Sequence, residues 1–306
     1  MFSMSTDTLT ALGHFFVSAT LLAALWFVLA EGLARLVRLR SPSARTLLFV
    51  VPVLAAFGAR VRLSGDATVM VVAVCLSVAV TLFLFDALRY RRFVATLVPD
   101  LQPSAHLQKI VDALAVDFRM KVPPAAYELP TAGAGPYVIG LRRPALIMPS
   151  AILKVLDPEE TRALIAHELA HVHRRDALGK WVLLFLRRLA FLNPVAYWAY
   201  RRIGLETERA CDLLAMGVTG RPGTLARALV KVEEYLAHST PRSPVFALAT
   251  IPRADSHLAQ RVRSIADYGT QVDDVAWLSI FKLLGIFAVF SAVCLRPGGV
   301  LLALIN

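Results

Sequence analysis

The chain has 306 residues, 57% of them hydrophobic and only 18% charged, with a mean hydropathy of +0.60 and a net charge of +11. That apolar share excludes an ordinary soluble globular protein, where about half of the residues are apolar even with Gly counted, so membrane segments are expected. The basic excess does not point to nucleic acid, because the arginines border apolar stretches, and no direct nucleic-acid binding is expected.

Residues 8–30 form one continuous apolar stretch and residues 67–88 another, each near the roughly 20 residues needed to cross hydrocarbon. Between them, 46–63 is a weaker span. Only Thr46 to Ala59 is free of charge, Pro52 and Gly58 interrupt it, and Arg60 and Arg62 would have to snorkel. Residues 1–98 thus read as an N-terminal membrane region with about three transmembrane helices. The first stretch is too long for a cleaved signal peptide and has no basic residue before it, so an uncleaved span is expected.

The first fourteen residues carry no Lys or Arg, whereas Arg35, Arg38, Arg40 and Arg45 follow the first stretch and Arg89, Arg91 and Arg92 follow residues 67–88. The positive-inside rule then puts the N-terminus outside and both the Arg35–Arg45 loop and residues 99–274 in the cytoplasm. A last apolar stretch, 275–295, crosses again and leaves Arg296–Asn306 as a short outer tail. Cys75, Cys211 and Cys294 have no plausible disulfide partner, which fits a reduced compartment.

Residues 99–274 suffice for one soluble domain. Ser104 caps a helix running to about Phe118. Tyr137–Gly140 and Pro144–Pro149 read as short strands flanking the turn Leu141-Arg142-Arg143. Asp157-Pro158-Glu159-Glu160 is a strong helix start, with an N-cap, Pro at the first position and acids in the first turn. Leu178–Tyr200 is apolar but holds Lys180, Arg187, Arg188, Asn193 and Pro194, so it reads as an amphipathic helix lying against core or the inner membrane face. Further helices are expected over Leu205–Gly217, Gly223–Ala237 and Asp255–Asp267.

The helix begun at Asp157 leads into His167-Glu168-Leu169-Ala170-His171. Positions i and i+4 share a helix face, so two imidazoles can hold one ion with the Glu168 carboxylate beside it. That is the equipment of zinc-assisted peptide hydrolysis: zinc (one catalytic Zn2+) acidifies water and polarises the scissile carbonyl, and a carboxylate shuttles the proton. With seven His and nine Glu in the chain, a random shuffle gives on the order of 0.005 matches to this pattern. The competing reading is a solvated helix face with two surface histidines.

A catalytic zinc commonly has three protein ligands. In Glu206-Thr207-Glu208-Arg209-Ala210-Cys211-Asp212, Glu208 and Asp212 lie one turn apart, so Glu208 can reach the metal while Asp212 accepts the N–H of a ligating histidine. Cys211 is the other candidate ligand, against a role as a small buried packing residue. His173 points away from the shared face. His14 falls near the outer interface, and Lys282 either pairs with Asp86 between spans or snorkels.

Four segments together resemble a known family: Val138–Pro149, then Ala166–Asp176 with the metal motif, then Asn193-Pro194, then Glu208–Asp212, with Arg261-Val262-Arg263 in support. The chain resembles the BlaR/MecR-type membrane antirepressor metallopeptidases and is similar in its active-site helices to HtpX-type membrane zinc proteases. The resemblance implies an α+β, mostly helical, zincin-like (gluzincin) metallopeptidase domain embedded among transmembrane helices. It implies zinc on His167, His171 and Glu208, Glu168 as general base, and Asp212 in support. Asp176 also falls in the pattern, either behind a ligand or in a salt bridge to a neighbouring Arg.

The expected protein is therefore a metalloendopeptidase of a bacterial inner membrane. Its partners are the lipid bilayer and a protein substrate, either a transcriptional repressor or membrane proteins. With only Arg296–Asn306 after the last stretch, the expectation is that the signal comes from a separate sensor protein or from the spans, or that the enzyme acts constitutively on membrane or membrane-proximal proteins. The alternatives are an HtpX-type quality-control protease and a non-enzymatic signalling protein that holds zinc. The last has no need of a glutamate at 168.

Overall fold

The computed structural model describes residues 6–37, 39, 41–55, 65–130, 135–190, 193–238 and 255–267. Among them the chain is mostly helical, with one small sheet. Helix α1 (Thr6–Leu36) and helix α3 (Gly65–Leu97) contain the first apolar stretch and residues 67–88. Two segments, Phe16–Leu36 and Ala73–Asp100, are long and apolar enough to cross a membrane, and little of either is buried within the protein. Helix α2 (Pro42–Ala55) is apolar but short. Its fourteen residues rise about 21 Å, less than a hydrocarbon core. The rest of the weak segment, the stretch 275–295 with Lys282, and Cys294 lie outside the described residues.

A four-stranded sheet follows: β1 (Gln102–Pro103), β2 (Ala125–Leu129), β3 (Tyr137–Ile139) and β4 (Ala145–Pro149), in the order β1-β2-β4-β3. Strand β4 runs parallel to β2 and antiparallel to β3. Its Leu146, Ile147 and Met148 are fully buried, as a continuous apolar run in a central strand requires. Strand β3 is an edge, turned back into β4 at Gly140. There φ is +91°, and a Cβ would lie 2.4 Å from the Arg143 carbonyl oxygen, so only glycine fits. Strands β1 and β2 were not expected.

Helix α4 (Ala105–Asp117) starts at Ser104, whose Oγ accepts from the Leu107 N–H. After the short α5 (Ser150–Val155) comes α6 (Pro158–Arg174). Its start is a reciprocal capping box: Asp157 Oδ1 accepts from Glu160 N at 2.8 Å, and Glu160 Oε2 from Asp157 N at 3.0 Å. Arg175 ends the helix in the left-handed conformation at φ 58°, and α7 (Asp176–Leu189) leaves at once.

One helix was expected over Leu178–Tyr200 and another over Leu205–Gly217. The chain instead breaks at Asn193, whose side chain accepts from the N–H groups of Val195 and Ala196 with Pro194 at the first helical position. It then runs unbroken as α8 (Pro194–Thr219). Asn-Pro is a start signal where an amphipathic periodicity alone suggested continuity. Helices α9 (Pro222–His238) and α10 (Asp255–Asp267) complete the described fold.

Helix α6 lies at the centre. Leu164, Ile165, Leu169 and Ala170 are fully buried in a cluster with Leu146 and Met148 of β4, Cys211 and Ala215 of α8, Leu225 and Leu229 of α9, and Ile265 of α10. Each large side chain so buried contributes about 1.5–3 kcal/mol. Glu160 adds a polar anchor, 2.7 Å from Lys231 Nζ of α9.

Two further packings fasten this body to the apolar helices. The first half of α8 rests on α1 and α2, where Ala199 and Ile203 meet Ala30, Phe49 and Val53. Helix α7 rests on α3 through edge-to-face contacts of Phe83 with Trp181 and Phe185, and of Tyr90 with Trp181. Asp86 of α3 is buried and bound by Arg188 of α7, Nε to Oδ2 at 2.7 Å and Nη2 to Oδ1 at 2.9 Å, so its partner among the described residues is this arginine.

Candidate metal centre

Helices α6 and α8 cross so that the inner face of one meets that of the other. His167 and His171, one turn apart, present their rings at 87° with centroids 5.0 Å apart. Glu208 of α8 faces both: Oε2 is 3.3 Å from His167 Nε2, and Oε1 is 3.6 Å from His171 Nε2. These three side chains offer ligand atoms within 4.8 Å of one another. Glu168, nearly fully buried, lines a cavity of about 1350 Å³ together with His171 and Glu208.

The opposite nitrogen of each imidazole meets a carboxylate. His171 Nδ1 is 2.8 Å from Asp176 Oδ2, and His167 Nδ1 is 3.0 Å from Asp212 Oδ1, close but not aligned as a hydrogen bond. Asp176 is the first residue of α7, aimed back at α6 by the left-handed Arg175, and it also accepts from Arg174 Nε at 3.2 Å. Asp176 thus contacts both His171 and Arg174. His173, by contrast, is exposed beside Phe118.

Cys211 is fully buried on the Nδ1 side of His171, its Sγ 3.2 Å from that nitrogen and 3.3 Å from Asp176 Oδ2. Burial, with Asp176 beside it, pushes the thiol well up, so it is a neutral S–H donating to Asp176. His171, Asp176 and Cys211 form a second group of potential ligand atoms within 4.8 Å. That group would use Nδ1, which Asp176 already holds, and would need a thiolate that burial disfavours.

Arg261 of α10 completes the cluster and was not singled out as a site residue from the sequence. Nearly fully buried, it donates from Nε to Asp212 Oδ2 at 2.8 Å and from Nη2 to Asp212 Oδ1 at 2.6 Å. Its Nη1 lies 3.3 Å from Glu208 Oε2, and Nη2 lies 3.4 Å from His167 Nε2. Its neighbour Arg263 is exposed, and only packing of α10 distinguishes the two. His257, one turn before Arg261, lines the same cavity.

The charges follow from these contacts. Burial opposes ionisation of Asp212, but Arg261 outweighs it and holds the carboxyl down at about 2. Burial likewise opposes the Glu208 carboxylate, and His171, His167 and Arg261 together bring it well below the ordinary range. For His167, burial works against the imidazolium, yet Asp212 and Glu208 at its two nitrogens push the pKa up to about 9. Glu208 Oε2 is buried without a hydrogen bond. That oxygen lies 3.3 Å from both His167 Nε2 and Arg261 Nη1, while Oε1 faces His171; one carboxylate and two imidazoles, each imidazole with a further carboxylate beside its other nitrogen, are a donor set that a divalent cation fits.

The family model described as BlaR1 peptidase M56 matches residues 55–265, more than half of the chain. The chain belongs to the BlaR1 peptidase M56 family. The M56 match takes in α3 through most of α10, and with it every side chain of the cluster. The chain is 22% identical to "Regulatory protein BlaR1" of Bacillus licheniformis over 44% of its length and 22% of that protein's. It is 23% identical to "Methicillin resistance mecR1 protein" of Staphylococcus aureus, over 28% of its length and 15% of that protein's. To "Protease HtpX homolog" of Aquifex aeolicus it is 28% identical, over 42% of its length and 56% of that protein's. The chain thus spans from about a seventh to just over half of these relatives. The M56 assignment agrees with the resemblance carried by the motifs and makes this chain a metalloprotease-family protein with candidate transmembrane helices.

Proposed function

We propose that the chain is an integral-membrane zinc metalloendopeptidase with a gluzincin-type site, multi-pass in a bacterial inner membrane and acting from the cytoplasmic side. The observation that carries this reading is the convergence of His167, His171 and Glu208 around a common centre at the wall of a cavity that Glu168 also lines. These three residues would hold zinc. When bound, the ion supplies Lewis acidity, drawing electron density from the scissile carbonyl and acidifying water.

The protein's own groups supply the remaining steps. Glu168 takes a proton from the attacking water and delivers it to the leaving amine. Asp176 and Asp212 fix the orientation of His171 and His167, so that Nε2 of each faces Glu208. Arg261 keeps Asp212 and Glu208 ionised. Strand β3, at the edge of the described sheet and along the same cavity, would pair with an extended substrate.

A regulated protease cutting a transcriptional repressor is one role for it, supported by the likeness to "Regulatory protein BlaR1". Quality control of membrane proteins is the second, favoured by the greater share of the HtpX homologue that the match covers.

The test is zinc content and cleavage of a casein-type substrate by detergent-purified wild type, Glu168→Gln and Glu208→Ala. The expected outcome is about one zinc with cleavage in wild type, metal without cleavage in Glu168→Gln, and loss of metal in Glu208→Ala. Folded wild type without zinc would overturn the proposal.

A further inference from the structure

Besides Arg261, which is bound to Asp212, the cavity that Glu168, His171 and Glu208 line is also lined by five cations: Lys121, Arg142, Arg143, Arg175 and Lys180. They come from separate parts of the chain. Lys121 lies in the connection from α4 to β2, Arg142 and Arg143 in the turn that Gly140 forces between β3 and β4, Arg175 at the junction of α6 and α7, and Lys180 in α7. Among the described residues none of the five makes an ion pair or a side-chain hydrogen bond. All but Lys180 are exposed.

The acids around the cavity are differently placed. Asp86 is taken by Arg188, Asp176 by His171 and Arg174, and Glu208 by His167 and Arg261. Glu168 and Glu233 alone among the lining acids have no cationic partner among the described residues. Any cation held by the metal ligands adds further positive charge.

A cleft ringed by one sign of charge concentrates ligands of the other sign, and the low-dielectric walls lengthen the reach of the field. From this arrangement we infer that the site selects acidic protein segments, with Asp or Glu side chains flanking the bond to be cut. Lys121, Arg142, Arg143, Arg175 and Lys180 are the specificity-determining residues. The inference rests on the peptidase reading for the word "cut", but the recognition of acidic chain does not. Anionic lipid is the competing claimant on the same charges. It is disfavoured because the cations converge on a concave cleft from β3–β4, α7 and the α4–β2 connection, where a flat headgroup layer would meet only the outermost of them.

The experiment reads binding apart from cleavage. Full-length Glu168→Gln protein, in nanodiscs of phosphatidylcholine, is titrated against a fluorescein-labelled peptide alternating Glu with Leu, and against its Gln-for-Glu and Lys-for-Glu counterparts. The expected result is binding of the Glu peptide at least about tenfold tighter than the Gln peptide, weakened by salt, with the Lys peptide weakest. Arg142→Glu with Arg143→Glu should abolish that order, and Lys121→Glu with Lys180→Glu should do so independently should the first pair disturb the turn.

Equal binding of all three peptides overturns the inference and leaves the peptidase reading standing. Selective binding by a folded wild-type protein that holds no zinc keeps the inference and removes the peptidase reading. Absent selectivity, joined to charge-reversed variants that lose retention on phosphatidylglycerol vesicles, assigns the cations to lipid and overturns it.

Discussion

Arg261 holds Asp212 with two guanidinium nitrogens, Nε at 2.8 Å and Nη2 at 2.6 Å, and both residues are nearly fully buried behind His167. One grip thereby ties α10 to α8 and balances a carboxylate that would otherwise lie uncompensated next to a second one, Glu208. Arg261→Met should lower the stability of the purified protein by about 3–5 kcal/mol, since removing one partner leaves a buried charge. Arg261→Lys should recover only part of it, because an ammonium cannot make the two-pronged contact. Thermal unfolding in detergent measures both, and unchanged melting of Arg261→Met would sink the prediction.

The two groups of potential ligands share His171, and mutation separates them. Cys211→Ala should keep the metal, because Sγ sits at Nδ1, opposite the nitrogen that faces Glu208. Asp176→Asn should weaken metal binding by about 10–100-fold through loss of the carboxylate that orients His171. Competition with a chromogenic chelator gives the affinities. A Cys211→Ala protein that binds no zinc while Glu208→Ala still binds it would reverse the assignment.

The Asp86–Arg188 pair joins α3 to α7, the helix whose first residue holds His171. Asp86→Asn should destabilise the protein by about 1–3 kcal/mol, because the partly buried Arg188 guanidinium loses its charged partner. Asp86→Leu combined with Arg188→Leu should cost far less than either single change, since a volume-matched apolar pair replaces both charges. A double-mutant cycle on thermal unfolding reads the coupling. Additive losses would mean that the pair contributes nothing of its own.

How much of this was legible in the sequence follows from how local each signal is. The start of α6 was readable because its capping box, Pro158 and two acids lie within four residues, and the metal motif follows on the same helix. Strand β2 was not, because Ala125–Leu129 shows no alternation and gains its place from parallel pairing with β4, twenty residues away. Asn193-Pro194 was noted as a motif, yet its meaning as a helix start was overridden by the apolar run on either side. Arg261 and Arg263 look alike in sequence. Only the packing of α10 on α8 and α9 sends one inward to Asp212 and the other to solvent.

Gly140 offers the sharpest test of how the edge strand serves the cavity. Its φ of +91° lies where L-residues are strained, and a Cβ would meet the Arg143 carbonyl at 2.4 Å, a backbone atom that cannot swing aside. Gly140→Ala must therefore open the β3–β4 turn, at a cost of about 1–3 kcal/mol. The buried Leu146-Ile147-Met148 run should hold β4 in place, so the damage should concentrate in β3 and in Arg142 and Arg143 at the cavity rim. The expected outcome is a modest fall in melting temperature, unchanged zinc content, because His167, His171 and Glu208 lie on α6 and α8, and a large loss of peptide cleavage and of charge selectivity. Zinc loss equal to the loss of cleavage would show that the turn supports the metal helices and not the substrate strand.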